Sequence, residues 1–306
     1  MKRRELLRTL GLTAAAVTSS QVSKAALPTL KLPRKRVLRI AHITDVHARP
    51  AQTINAAVAK CFHTIQSLNE KPDVIFHTGD YIDDALGTRR GNVERQWKAW
   101  NKISKQENSL EIYHCIGNHD VWTGPDSKGD PLWGKKFASE QLELHKPYYS
   151  FDRAGWHFVV LDSTMIREAG YIAKLDEEQF AWLESDLGKV SATVPVMVLS
   201  HIPILGVSVF FDGENEQSGN WTVPGSWMHI DARRITELFY RHKNVKLCIS
   251  GHIHLKDSVE YNGVSYFCNG AVCGNWWKGN YQQTPPGFAL VNLYDDGYFD
   301  NEYFAY

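Results

Sequence analysis

Five short polar clusters hold the side chains of this 306-residue chain that could do chemistry together. They are Asp45-Val46-His47, Gly79-Asp80, Gly117-Asn118-His119-Asp120, His201-Ile202-Pro203 and Gly251-His252-Ile253-His254. Their donors are carboxylate, imidazole and amide, a set that suits a dinuclear site of Zn, Mn or Fe. Asp45 with His47, and His252 with His254, are spaced i and i+2, so an extended backbone turns both members of each pair to one side. Asn118 and His119 are adjacent and diverge, which lets one hold metal while the other faces substrate. Singly, each cluster is ordinary: a Gly-Asp is a turn, and a lone histidine is more often core or surface than ligand. His42, His63, His77, His114, His145, His157, His229 and His242 are read that way. Five clusters in one chain, every one with metal-competent atoms, form a metal or catalytic signature.

The elements that must position these clusters are legible around them. Each cluster directly follows an apolar run, at Val37–Ile43, Val74–His77, Glu111–Ile116, Val194–Ser200 and Lys246–Ser250. Runs without polar alternation imply strands covered on both faces. The carboxyl ends of such strands converge on one crevice, where five loops can meet. Between them lie stripes of 3.6-residue period: Ile54, Ala57, Val58, Cys61, Phe62, Ile65 and Leu68; Phe180, Leu183 and Leu187 after an Asp176-Glu177-Glu178 start signal; and Ile235, Leu238 and Phe239 after Asp231. Tyr148–Phe151 with Trp156–Leu161, and Lys256–Tyr261 with Val264–Cys268 around Asn262-Gly263, read as antiparallel hairpins. Two aperiodic segments, 122–146 and 205–229, have the length of functional loops. Together with 271–287 they are expected to wall the site with Trp122, Trp133, Phe210, Phe211, Trp221, Trp227, Trp276 and Trp277.

Composition narrows the class. Hydrophobic residues are 43 % and charged residues 22 %, which excludes disorder, collagen and coiled coil. Lys+Arg and Asp+Glu are both 34, so the basic field that nucleic-acid binding needs is missing, and no specific nucleic-acid partner is expected. The N-terminus reads as an export leader over residues 1–26: basic Met1–Arg8, a short apolar run from Leu10 to Val17, and small residues near Ala25. Arg3-Arg4 followed by Leu6-Leu7 resembles a twin-arginine signal, which implies an exported, periplasmic or otherwise extracytoplasmic protein. Removing those residues takes away five basic side chains and one acid, leaving 29 against 33, a mildly acidic mature chain without a membrane span. The five cysteines are an odd number, with Cys268 and Cys273 the candidate pair in an oxidising compartment. None has zinc-finger spacing, so a metal is expected to rest on N and O donors.

The ordered set closely resembles the calcineurin-like metallophosphoesterase superfamily, directly from Arg39 to Leu255 and more loosely through Tyr306, with overall length and blocks similar to its cyclic-nucleotide phosphodiesterase-like branch. The resemblance implies an α/β chain of α+β type, a four-layer αββα sandwich with two mixed β-sheets flanked by helices, forming a single domain over 27–306 with inserted loops near 122–146 and 205–229. It implies two divalent metal ions. Asp45, His47, Asp80 and His254 would hold one, and Asp80, Asn118, His201 and His252 the other, with Asp80 shared. His119 would act on the leaving group as general acid, and Asp120 would orient it. Purple acid phosphatases carry a Tyr three residues after the shared Asp; here that position is Asp83, so the chain looks unlike that branch.

Charge supports the same chemistry. Two divalent ions bring four positive charges against the two carboxylates of Asp45 and Asp80, and the excess attracts a phosphate ester and a bridging hydroxide as nucleophile. No Gly-rich phosphate loop, Gly-x-Ser-x-Gly elbow or dinucleotide fingerprint competes with it. The expected activity is phosphoester hydrolysis of a small molecule, with a phosphodiester as the leading substrate. Alternatives are an extracytoplasmic phosphomonoesterase or nucleotide pyrophosphatase, and a non-catalytic metal-binding scaffold, against which stands the full donor set. The leader carries its own prediction. Arg3→Lys with Arg4→Lys leaves the protein folded but retained in the cytoplasm on fractionation; unchanged extracytoplasmic recovery would remove the twin-arginine route.

Overall fold

Val74–His77 and Val196–Leu199 are buried at every position, as strands covered on both faces must be. A computed structural model describes residues 34–168 and 170–306; the expected export leader lies outside them. In chain order come β1 (Arg36–Ile43), α1 (Gln52–Gln66), β2 (Val74–His77), α2 (Arg90–Glu107), β3 (Ile112–His114), α3 (Lys136–Gln141), β4 (Tyr149–Arg153) and β5 (Trp156–Val160). A small hairpin of β6 (Thr164–Arg167) and β7 (Gly170–Ala173) follows, then α4 (Glu177–Lys189) and β8 (Val196–Leu199). After a second small hairpin of β9 (Glu216–Gln217) and β10 (Asn220–Trp221) come α5 (Ala232–Arg241), β11 (Val245–Ser250), β12 (Asp257–Tyr261), β13 (Val264–Cys268), β14 (Gly287–Tyr294) and β15 (Phe299–Ala305).

Two mixed sheets result. One has the order β15-β14-β1-β2-β3, with β1, β2 and β3 parallel and the last two strands of the chain antiparallel. The other runs β12-β13-β11-β8-β5-β4, parallel from β13 to β5 and closed at each edge by one of the expected hairpins. Leu38, Ile40, Val74, Phe76 and Val291 of the first sheet pack against Phe158, Val160, Met197, Leu199, Leu247 and Ile249 of the second. The opposite face of the first sheet is covered by Ile54, Val58, Phe62 and Ile65 of α1 and by Val93, Trp97, Trp100 and Ile103 of α2. Phe180, Leu183 and Leu187 of α4 and Ile235, Leu238 and Phe239 of α5 cover the second sheet. The four layers are therefore helix, sheet, sheet, helix. Among the described residues no helix is long and apolar enough to cross a membrane.

Several sequence expectations need correction or addition. Asp176 caps α4 as expected, its carboxylate accepting the Gln179 N–H at 2.7 Å. Asp231 does not cap α5, because its oxygens are taken by the Leu175 N–H and the His229 ring. The 122–146 segment is no loop wall: Trp122, Phe137, Ala138 and Leu142 bury into the helix-side core of the first sheet. The hairpin β6–β7, strands β14 and β15, and helix α2 carry no expectation from the sequence. Yet α2 shows the spacing Val93, Trp97, Trp100, Ile103, masked by fourteen other, mostly polar residues in a helix of 18. All five cysteines are free thiols.

Phe76 sits at the middle of the inter-sheet core, edge-on to Phe158 at 5.2 Å and Tyr113 at 5.4 Å. Phe76→Ala leaves a void between sheets that cannot close, and should cost about 3–5 kcal/mol. Urea unfolding checks this as a drop in midpoint at unchanged slope; a loss below about 1 kcal/mol would mean the sheets repack.

Candidate metal centre and active site

The loops after β1, β2, β3, β8 and β11 meet at one end of the two sheets, and hydrogen bonds tie them together before any side chain is considered. The N–H groups of Asp45, Val46 and His47 bond the carbonyls of Gly79 and Asp80, and the Gly251 N–H bonds the His201 carbonyl. The i, i+2 spacing converges, but not through extended backbone. Asp45, His47, Asp80, His252 and His254 all have φ between 47° and 73°, the left-handed region that non-glycine residues avoid. Each such residue costs on the order of 1–3 kcal/mol and persists only where the surroundings over-determine it. Glycines in the motifs permit the crowding: a Cβ on Gly117 would lie 2.2 Å from Asp80 Oδ1, and one on Gly251 2.2 Å from Asp45 Oδ2.

The side chains so placed present acceptors to one another. The His201 ring holds its Nδ1–H on the Thr78 carbonyl at 2.8 Å, so its Nε2 faces Asn118 Oδ1 at 2.9 Å and Asp80 Oδ2 at 3.2 Å. His254 likewise spends Nδ1 on the Gly274 carbonyl and His47 spends Nδ1 on the Asp83 carbonyl. Their Nε2 atoms then lie 3.3 Å apart, with Asp45 Oδ1 3.4 Å from that of His254 and Asp80 Oδ2 3.7 Å from that of His47. His252 turns Nε2 to the Ser226 carbonyl, which leaves Nδ1 for the group it forms with Asp80 and His201. Asp45 Oδ1 and Asp80 Oδ2 are buried and make no hydrogen bond.

Buried acceptors without donors cost free energy, and two ring nitrogens facing each other repel. Positive charge between them removes both penalties, so the residues fit divalent metal. Donor atoms from Asp45, His47 and Asp80, from Asp80, His201 and His252, and from His47, His254 and Cys273 gather within 4.8 Å. The Cys273 sulfur lies beside His254 Nδ1 at 3.8 Å, on the nitrogen already committed to a carbonyl. The electrostatics agree. Burial pulls the His47 and His252 rings down to about 3, keeping them neutral as metal donors. Burial also works against His201, but the carboxylates, Asp80 foremost, win and lift it to about 9. A proton there does the work a metal ion does by displacing it.

Asp120 does not do what the resemblance implied. Its Oδ2 accepts the N–H groups of Asp80 and Gly117 at 2.8 Å, its Oδ1 accepts that of Tyr81 at 2.9 Å, and no hydrogen bond joins it to His119. It builds the loop that carries Asp80. The carboxylate on the His119 ring is Asp84, with Oδ1 3.1 Å from Nδ1. Asp84 is held in turn by α2, whose buried Gln96 bonds its N–H and carbonyl at 2.8 and 3.0 Å. Burial pulls the His119 ring down, yet Asp80 and Asp84 outweigh it and hold its pKa above the ordinary histidine value.

A cavity opens over this cluster. Of the eight expected aromatic wall residues, Trp227 and Trp276 line it; Tyr171, Asp212 and Tyr281 line it unforeseen. Trp276 lies over the His47 ring at 3.9 Å. Trp277 instead bonds the His47 carbonyl through its indole N–H and packs into the core, Trp133, Phe211 and Trp221 are exposed, and Phe210 packs under the β9–β10 hairpin. An acid following closely on Asp80 was the one available signal for Asp84. Tyr171 and Tyr281 stand far along the chain from any motif, and Asp212, nine residues beyond the His201-Ile202-Pro203 cluster, lies in an aperiodic segment that gives no local signal for it.

The profile of the calcineurin-like phosphoesterase family matches residues 38–256, the stretch that carries all five clusters. The chain belongs to this family. As a calcineurin-like phosphoesterase it is a metal-dependent phosphoester hydrolase. It is 25 % identical over 280 residues to a 3′,5′-cyclic-nucleotide phosphodiesterase of Nostoc, covering 87 % of this chain and 90 % of that protein. It is 22 % identical over 274 residues to a 3′,5′-cyclic adenosine monophosphate phosphodiesterase of Haemophilus influenzae, covering 86 % and 88 %. A dimetal phosphatase of Danio rerio has the same fold, with a TM-score of 0.62 at 15 % identity over 85 % of this chain and 94 % of that one.

In this phosphoesterase Asp80 is the acid common to two of the three donor groups. Asp80→Asn removes its charge while keeping its shape. Metal analysis of the purified variant should show at least half of the bound divalent metal lost and turnover nearly abolished, with the circular dichroism of the native fold. Full metal content at the native rate would refute a shared carboxylate.

Proposed function

We propose that the protein is a phosphodiesterase working with two divalent cations, Mn, Fe or Zn. Asp45, His47, Asp80 and His254 would hold one and Asp80, Asn118, His201 and His252 the other. The observation that carries this reading is the buried Asp80 Oδ2, faced by the Nε2 atoms of His201 and His47 and bonded to neither. The relatives named as cyclic-nucleotide phosphodiesterases support a diester over a monoester. A cation pair held by these residues would supply Lewis acidity, for lowering the pKa of a water nucleophile and for neutralising charge on the phosphoryl oxygens.

The rest is the work of this chain's residues. Asp80 Oδ1 accepts the His119 N–H at 2.8 Å, which fixes the backbone beneath the imidazole. Asp84 takes Nδ1, so Nε2 is the atom that His119 presents toward the cavity it lines. There it holds the proton that the departing oxygen needs, and Asp84 keeps the ring charged and pointed. Trp276 covers His47 and His254, with ring centroids 3.9 and 5.7 Å away, and keeps bulk water off that side.

A general acid matters in proportion to how poorly the departing oxygen leaves. His119→Asn should lower turnover of alkyl phosphodiesters by about 10²–10⁴-fold and that of nitrophenyl diesters far less, with metal content normal. Asp84→Asn should show the same asymmetry more weakly and shift the pH profile. Equal losses on both ester types in the His119 variant would reduce His119 to positioning the phosphate.

A further inference from the structure

The cavity over the cluster holds chemistry that phosphate binding does not explain. It measures about 200 Å³, and no Lys or Arg lines it. What it offers away from the metal donors is a carboxylate, Asp212, among four aromatic rings. A carboxylate in a pocket that must admit an anionic phosphate repels its own substrate, unless that substrate also carries positive charge.

Asp212 sits in a corner shaped for such a charge. Its Oδ1 accepts the Tyr281 hydroxyl, and no Lys, Arg or His pairs with it among the described residues. Trp227 stands close by, its ring 3.3 Å from where a side chain on the neighbouring Gly213 would begin. Tyr281 is edge-on to the His254 ring at 5.9 Å, so the corner adjoins the metal donors. Aromatic faces carry negative potential and hold ammonium groups, the more strongly beside a carboxylate and away from water. A second phosphate charge gains nothing there.

We propose that the Asp212–Trp227–Tyr281 corner binds the cationic end of the substrate, making the preferred substrates phosphodiesters of an amino alcohol such as choline or ethanolamine. The inference rests on the phosphodiesterase reading and narrows it.

The test compares 4-nitrophenyl phosphocholine with 4-nitrophenyl 3,3-dimethylbutyl phosphate, in which carbon replaces the charged nitrogen. In both, water forms the new P–O bond, and the bond to 4-nitrophenolate breaks with its electron pair leaving on that oxygen. The products are phosphocholine or dimethylbutyl phosphate, plus nitrophenolate. The wild-type enzyme should favour the choline ester in kcat/KM by at least about tenfold. Asp212→Asn should bring the ratio near one, and choline chloride should compete with the choline ester where sodium chloride at equal ionic strength does not. Hydrolysis of both esters at equal kcat/KM in the wild type overturns the inference, leaves the phosphodiesterase reading standing, and makes Asp212 a reader of hydroxyls instead. Hydrolysis of neither ester overturns the phosphodiesterase reading itself.

Discussion

Everything at the active end of this protein depends on holding acceptors against one another. The Nε2 atoms of His47 and His254 face each other at 3.3 Å, and that of His201 faces two oxygens. The arrangement is unfavourable until positive charge enters it. It is therefore a demand that the fold enforces, through carbonyls of Asp83, Gly274 and Thr78 that pin the opposite ring nitrogens. Those carbonyls choose the tautomer of each histidine and so aim its lone pair.

Enforcement costs conformational strain, and the two-sheet scaffold carries it. Five residues of the cluster occupy left-handed backbone. Each stands two to four residues beyond a strand whose flanks are buried between sheet and helix, so the loop cannot relax without moving the strand. The last strands of the chain contribute as well: β14 pairs with β1 along six residues and fixes the strand that leads into Asp45. Strain at the site is balanced by burial in the layers.

The same scaffold decides which acid serves which base. Asp120 follows His119 directly, yet four backbone N–H groups, those of Asp80, Tyr81, Ile82 and Gly117, claim it. Asp84, thirty-five residues before the histidine, reaches the ring because Gln96 of α2 grips its backbone on both sides. A helix without a metal ligand thus sets the orientation of the candidate general acid. The cavity rim follows the same logic, since Asp212 and Tyr281 come from segments about seventy residues apart and meet through one hydrogen bond.

The chain by itself determined the strands covered on both faces, the five strand-end clusters and their metal-competent donors, because buried strands print apolar runs and metal donors belong to few residue types; the sandwich of two sheets was what the family resemblance implied. Trp122 and Trp133 show where such reading stops: both are aromatic residues in an aperiodic segment, yet one is buried in the core and the other exposed. Helix α2 escaped because a polar majority hid its buried face, and β15 because an edge strand half open to solvent lacks a continuous apolar run, whereas the interior strand β14 does carry one at Phe288, Ala289, Leu290 and Val291. Only tertiary structure decided the partner of His119, the left-handed turns that bring i and i+2 together, and the rings that wall the cavity. Those choices rest on hydrogen bonds and contacts between residues distant in sequence, which no local pattern of residue types encodes.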